Sequence, residues 1–160
     1  TTVFEDPLHE SMPGLSVIYS VLMSHEPVDL LVIMLGTNDT KERFGANAAA
    51  IGVGMQRLIL KAQSVPCCGP HGPKILVVSP PCIGEGLYDF EEGGGAMGAG
   101  CPEKSRGLAK AFKQAAELTG CEFMDAEGIA EFNHLDCMHL TAKGHRQLAE
   151  ALAQKIAEIL

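Results

Sequence analysis

The sequence predicts an α/β fold, with helices layered on a parallel sheet, in a single domain that spans residues 1–160. Two observations indicate this fold. Three apolar segments of strand length alternate with segments whose apolar residues recur at helical spacing. The strand segments also lack the polar–apolar alternation of a half-exposed sheet, so helices should bury both faces. A hydrophobic content of 46% is sufficient for a core of this size.

The predicted strands place polar residues at one edge of the sheet. The strands are residues 29–35, 74–79 and 121–125. In such sheets, ligand sites lie beyond the carboxyl ends of the strands. Residues 36–39 and 79–82 and Asp125 fall at these ends. We therefore expect the chemistry of the protein at this edge.

Four predicted helices precede, connect and follow the strands. They are residues 14–24, 46–63, 103–119 and 141–160. Thr141 is a candidate N-cap and Gly120 a helix stop, while Leu118 and Leu160 are expected to face the core. A glycine-rich loop over residues 82–100 has a length typical of functional or mobile loops.

The composition argues against several function classes. The formal net charge is -8 and no basic cluster is present, so nucleic acid is not an expected partner. No apolar stretch approaches the ~20 residues of a membrane span. The six cysteines form no CxxC pair, so we expect no metal site, and unpaired cysteines favour a reducing cytoplasm. The adjacent Cys67 and Cys68 are interpreted as part of a loop and not as a redox pair.

Two short motifs carry candidate chemistry. Residues 36–39, Gly-Thr-Asn-Asp, follow the first predicted strand, and Asp136 and His139 lie three residues apart before the last helix. At that spacing a carboxylate reaches the imidazole one turn on, where it can fix the tautomer and stabilise the imidazolium. Each motif alone is weak evidence, because Asn and Asp also favour turns and caps.

Together, and in this order, the two motifs resemble those of the SGNH hydrolases, also called GDSL-type esterases and lipases. Residues 36–39 match that family's GxND block and residues 136–139 match its DxxH block. The segments "ILVVSPPCIGEG" and "HLTAKGHRQLAEALA" are similar to its arylesterase and acyltransferase-like branch. The resemblance covers essentially the whole chain, and it implies a three-layer α/β/α sandwich with a parallel, flavodoxin-like sheet.

The resemblance also implies roles for individual residues. Asn38 corresponds to a side-chain donor of the oxyanion hole, His139 to the general base and then acid, and Asp136 to the carboxylate that orients the imidazole. Asp39 is expected to be structural, bonding to local backbone. No metal or organic cofactor is needed.

A substrate pocket is expected beside these groups. Its walls should include residues 40–44 and the loop of residues 80–100, which face the same side as Asn38. The predicted substrate-binding residues are Gly36, Thr37, Ser79 and Pro80.

The family's nucleophile block has no counterpart in this chain. The GDS motif with its serine is missing, as is the oxyanion-hole glycine of the next block, and Thr1 corresponds to a position just past that glycine. Ser79 is a poor substitute because Pro80 follows it and offers no backbone N–H. Cys137, inside the DxxH block, is expected to point elsewhere.

We therefore expect an N-terminal segment of roughly 40 to 60 residues, which either precedes Thr1 or is carried by a companion chain. It would contain the serine and the first two strands of the sheet. Without it, the strand at residues 29–35 should expose an apolar edge that aggregates or seeks a partner.

The predicted function is that of a carboxylic ester hydrolase with a Ser-His-Asp triad. Short-chain acyl or aryl esters are the expected substrates, O-acetylated sugars are further candidates, and acyl transfer is allowed if water is excluded. A catalytically silent binding or scaffold domain is the alternative. A flavodoxin-like ligand binder is disfavoured, because no phosphate-cradling glycine-rich turn follows a predicted strand. A homo-oligomer is compatible with the apolar content.

Overall fold

A computed structural model of the protein contains a parallel sheet of three strands, in the order β1-β2-β3. It describes residues 1–8, 11–68, 72–89 and 95–160. The strands are β1 (Leu30–Ile33), β2 (Lys74–Ser79) and β3 (Glu122–Asp125). The predicted α/β class is confirmed. β1 ends two residues earlier than predicted, because the chain turns away toward Gly36, whose φ is 126°.

Five α-helices whose two ends both lie in the described residues surround the sheet. They are α1 (Gly14–Ser24), α2 (Ala48–Gln63), α3 (Cys101–Arg106), α4 (Leu108–Thr119) and α5 (Ala142–Ile159). The single helix predicted over residues 103–119 is wrong, since it divides at Gly107. A Cβ atom there would lie 2.6 Å from the Cβ of Ala48, so the chain needs glycine where α2 crosses. The two predicted helix ends are confirmed: Thr141 caps α5 by accepting from the Gly144 amide, and Gly120 ends α4 with a φ of 69°.

The helices form one layer on each face of the sheet, which confirms the three-layer sandwich. α1, α2 and α4 bury the main core on one face, and α5 covers the other. Leu118 is 65% exposed and Leu160 is 68% exposed, so their predicted burial is wrong. Leu118 lines a groove of about 570 Å³ between α2 and α4, and Leu160 follows the last residue of α5.

The sheet is covered unevenly. α5 packs against β2 and β3 and meets β1 at Leu30. Val32 is therefore 37% exposed, and the expectation that both faces are buried is wrong for β1. Among the described helices, none is both long enough and apolar enough to cross a membrane.

Candidate active site

The turn after β1 presents Asn38 to solvent. Residues 38–40 form a short 3-10 turn in which the Asp39 amide donates to the Gly36 carbonyl at 3.0 Å. The Asn38 side chain is exposed and makes no hydrogen bond with the residues that the structure describes. Its amide is thus free to donate to a developing oxyanion.

Long-range contacts hold this turn in place. A Cβ atom on Gly36 would lie 2.8 Å from Cζ of Phe112, so the close approach of α4 requires glycine. Asp39 is fully buried, and its Oδ1 accepts from the Thr2 amide at 2.8 Å and from the Thr2 hydroxyl. The structural role expected for Asp39 agrees with this burial, but its partner is Thr2, 37 residues away, and not local backbone. Asp39 Oδ2 has no hydrogen-bond partner in the described part of the chain.

Asp136 and His139 lie in one turn, in which the Asp136 carboxylate makes its hydrogen bonds locally. Asp136 Oδ1 accepts from the amides of Met138 at 3.0 Å and His139 at 2.9 Å, and Oδ2 lies 2.9 Å from His139 Nδ1. Burial acts to raise the pKa of Asp136, but the hydrogen bonds from these two amides and from the imidazole outweigh it and lower the pKa to about 2. The imidazole is 76% exposed. Its Nδ1 faces the carboxylate, which leaves Nε2 for proton transfer.

The segment after β2 connects the two turns at the carboxyl edge of the sheet. At one end of this segment, the Gly84 amide donates to the Cys137 carbonyl at 2.8 Å. The neighbouring Ile83 amide donates to Ser105 Oγ on α3 at 3.0 Å. Beside Ser105 on α3, Lys104 Nζ donates to the Thr40 carbonyl at 3.0 Å. A short chain of direct contacts therefore joins the Asn38 turn to the His139 turn.

The predicted substrate walls contact each other beside this edge. The Ala99 amide donates to Glu42 Oε2 at 2.9 Å, and Arg43 donates to the Ala96 carbonyl at 3.0 Å. The loop has a small core of its own, formed by Ile83, Leu87, Met97 and Cys101 with Met138 packed against it. Residues 90–94 of the predicted wall lie outside the described residues.

The other predicted site residues differ in accessibility. Thr37 is half-buried, whereas Gly36, Ser79 and Pro80 are buried. Among the described residues, the Ser79 hydroxyl makes one hydrogen bond, which it donates to the Pro80 carbonyl at 3.5 Å. Their role in substrate binding stays a prediction.

Cys137 has its side chain turned into the protein. It is buried, and its φ of 56° places it in the left-handed region. A Cβ atom on Gly86 would lie 2.9 Å from Cys137 Sγ, so the thiol packs against that glycine. This packing agrees with the expectation that Cys137 points away from the chemistry.

Sequence reasoning missed a charged cluster that holds the N-terminal residues beside the site. Asp6 is buried, and its Oδ2 accepts from Arg43 at 2.7 Å and from Lys41 at 3.2 Å. The hydrogen bond from Arg43 holds the pKa of Asp6 well below its usual range. Phe4 also stacks on Phe44, with ring centroids 5.6 Å apart. These partners are 35 to 40 residues apart in sequence, and no periodicity links them.

Comparison with known families agrees with the motifs. The profile described as "GDSL-like Lipase/Acylhydrolase family" matches residues 8–147, which include both turns. The chain belongs to this GDSL-like family. The predicted enzyme class, an esterase of the GDSL type, is thereby confirmed. A search of curated proteins finds no match.

Solved structures of esterases are similar to this GDSL-like chain over its whole length. The native aryl esterase of M. smegmatis superimposes with a TM-score of 0.90 at 32% identity, covering 100% of this chain and 74% of that one. A carbohydrate acetylesterase from Sinorhizobium meliloti superimposes with a TM-score of 0.87 at 32% identity, with the same coverage. The present chain thus spans about three quarters of the length of either structure.

Proposed function

We propose that this protein hydrolyses short-chain acyl or aryl carboxylic esters with a Ser-His-Asp triad whose serine lies upstream of Thr1. One observation carries the proposal: the 2.9 Å contact between Asp136 and His139 leaves an exposed imidazole at the sheet edge that also presents Asn38. This combination supplies a base, its orienting carboxylate and an oxyanion donor.

In the proposed reaction, His139 takes the proton of the serine hydroxyl as the serine attacks the ester carbonyl. Asp136 holds the imidazole and stabilises its charged form. The Asn38 amide donates to the oxyanion of the tetrahedral intermediate, a contact typically worth ~3 to 4 kcal/mol of barrier. His139 then gives its proton to the leaving alcohol, and water releases the acyl group. An alcohol in place of water gives acyl transfer.

Two features support a serine in a segment that precedes Thr1. Thr2 is bonded to Asp39, so such a segment would join the chain next to the turn that carries Asn38. β1 also has no strand on the side away from β2 among the described residues, which leaves room for further strands. Ser105, by contrast, is buried, with its hydroxyl bonded to the Pro102 carbonyl and the Ile83 amide.

Fluorophosphonate labelling of the full-length product tests this assignment, together with hydrolysis of p-nitrophenyl acetate. We expect turnover and a labelled serine upstream of Thr1. A label on Ser79 or another serine of residues 1–160 would move the nucleophile into this chain. A folded, full-length protein that is neither labelled nor active would favour the alternative, a silent binding or scaffold domain.

Substrate range, assembly and location are part of the proposal. O-acetylated sugars are candidate substrates because one similar structure is a carbohydrate acetylesterase. Exposed Val53 and Leu118 on the groove between α2 and α4 are compatible with a homo-oligomer. Six free cysteines favour the cytoplasm. Acetate release from acetylated xylan, sedimentation and cell fractionation test these three points.

A further inference from the structure

Two adjacent cysteines meet at the end of the sheet opposite the candidate active site. Cys67 and Cys68 follow α2 and precede β2, and their Sγ atoms lie 2.7 Å apart. Both are free thiols. The sequence predicts a simple loop here, but the two side chains face each other and pack against the main core. The Cys67 carbonyl also accepts from the Val28 amide at 3.4 Å, which ties the pair to the chain entering β1.

We propose that Cys67 and Cys68 form a redox-modification site, at which a hydroperoxide converts the two thiols into a vicinal disulfide. The site is independent of the esterase assignment, because none of its residues belongs to the turns that carry Asn38 and His139. It requires only the hydroperoxide as co-reactant.

The two thiols differ in access, which sets the order of the steps. Cys67 is buried, whereas Cys68 is half-buried and lines a cavity of about 450 Å³ at the amino end of the sheet. Burial, and after it the hydrogen bond with Cys68, raises the pKa of the Cys67 thiol. Because Cys68 is the more accessible of the two thiols, it reacts with the hydroperoxide first and Cys67 reacts second.

The steps balance in atoms and electrons. The Cys68 thiolate attacks the terminal oxygen of the hydroperoxide and the O–O bond breaks. The other oxygen takes the proton that the Cys68 thiol has lost and leaves as an alcohol or water, and Cys68 becomes a sulfenic acid. Cys67 then attacks the Cys68 sulfur, the S–O bond breaks, and the departing hydroxide takes the Cys67 proton to form water. Two thiols have lost two hydrogen atoms and one hydroperoxide has been reduced.

The product should be easy to reduce again. Adjacent Cα atoms lie about 3.8 Å apart, below the range usual for disulfides. Strained disulfides are the labile and regulatory ones. The pair is thus suited to reversible oxidation and not to permanent cross-linking.

Peptide mapping reads this reaction directly. Trypsin releases residues 62–74 as one peptide that contains these two cysteines and no other. After the folded, full-length protein has reacted with hydrogen peroxide and then iodoacetamide, we expect this peptide to be two hydrogen atoms lighter and not alkylated. Dithiothreitol should restore double alkylation.

Two variants and one control assign the order. Cys67→Ser should leave a Cys68 sulfenic acid that dimedone captures, whereas Cys68→Ser should reduce dimedone capture in this peptide by about tenfold or more. Cys121→Ser is the control, because Cys121 lines the same cavity. This variant should still form the disulfide between Cys67 and Cys68. Double alkylation of residues 62–74 after peroxide, or a cross-link from Cys68 to Cys121, would overturn the proposal. The wild-type mass decides the question even if a variant fails to fold.

Discussion

The two turns that carry the candidate chemistry differ in where the polar contacts of their carboxylates come from. In the Asp136–His139 turn these contacts are local, since one carboxylate bonds two amides and an imidazole no more than three residues away. The Gly84 amide, which donates to the Cys137 carbonyl, is a contact from outside. The turn of residues 36–39 is held from outside, by Phe112 against Gly36 and by Thr2 on Asp39. The side chains of Asn38 and His139 are exposed, and neighbouring residues make the contacts that hold each turn.

The two turns therefore differ in whether the catalytic role and the structural role fall on the same residue. In the Asp136–His139 turn, Asp136 both forms the turn and orients His139, so the two roles lie on one residue. In the turn of residues 36–39, Asn38 is exposed while Asp39 is buried, so the roles lie on adjacent residues. Substitutions should therefore separate activity from folding cleanly at residues 38 and 39 and less cleanly at residue 136.

The largest expected effect is the loss of activity in His139→Ala. Removing a triad base lowers kcat by at least about a thousandfold. The imidazole is 76% exposed, so the free energy of unfolding should change by less than about 0.5 kcal/mol. Ester hydrolysis and urea denaturation of the full-length protein measure both. His145→Ala, an exposed histidine on α5, is the matched control and should keep full activity. Equal activity in His139→Ala and wild type would remove His139 from the mechanism.

The adjacent pair Asn38→Ala and Asp39→Ala gives the sharpest contrast. Asn38→Ala should lower kcat by about 100- to 1,000-fold with little change in the unfolding free energy. Asp39→Ala leaves the buried Thr2 donors without an acceptor and should cost about 1–3 kcal/mol of stability. Kinetics and denaturation of the two variants test this side by side. If Asn38→Ala destabilises the fold as much as Asp39→Ala does, the division of roles in this turn is wrong.

Sequence reasoning reached further in one turn than in the other. The contact between Asp136 and His139 follows from their spacing, and the position of residues 36–39 follows from the rule on strand ends. The residues that anchor the turn of residues 36–39 could not be predicted from the sequence, because Thr2 and Asp39 are far apart in sequence and no pattern pairs them. A resemblance to a family supplies the roles of such residues, but not their partners.

The same limit explains the errors in the helices. Periodicity places the apolar face of a helix but not the extent of what covers it, so Leu118 was expected in the core and instead lines an open groove. The division at Gly107 depends on Ala48, a residue of another helix. Thr141 and Gly120 were predictable because caps depend on neighbouring residues alone.

Gly36→Ala tests the long-range anchor itself. The added Cβ meets the Phe112 ring at 2.8 Å at a backbone φ of 126°, so overpacking and backbone strain should together cost about 1–3 kcal/mol. Gly45→Ala is the matched control: its φ is 61°, but nothing lies within 4 Å of the new Cβ. It should cost about 1 kcal/mol from the backbone alone. Equal midpoints of thermal denaturation for the two variants would show that Phe112 does not constrain the turn.

The smallest expected effect is the acid sensitivity of the turn that contains Asp136 and His139. The pKa of Asp136 is lowered to about 2, and an unfolded Asp titrates near 3.9. The ionised carboxylate therefore stabilises the fold above about pH 4, and this contribution is lost as the pH falls toward 2. Asp136→Asn keeps an oxygen that accepts from the amides of Met138 and His139 but cannot ionise. The stability of wild type relative to this variant, measured by denaturation at several pH values, should thus shrink between about pH 4 and pH 2. A constant difference across that range would mean that neutral hydrogen bonds alone hold this turn, and that the charge of Asp136 matters only for His139.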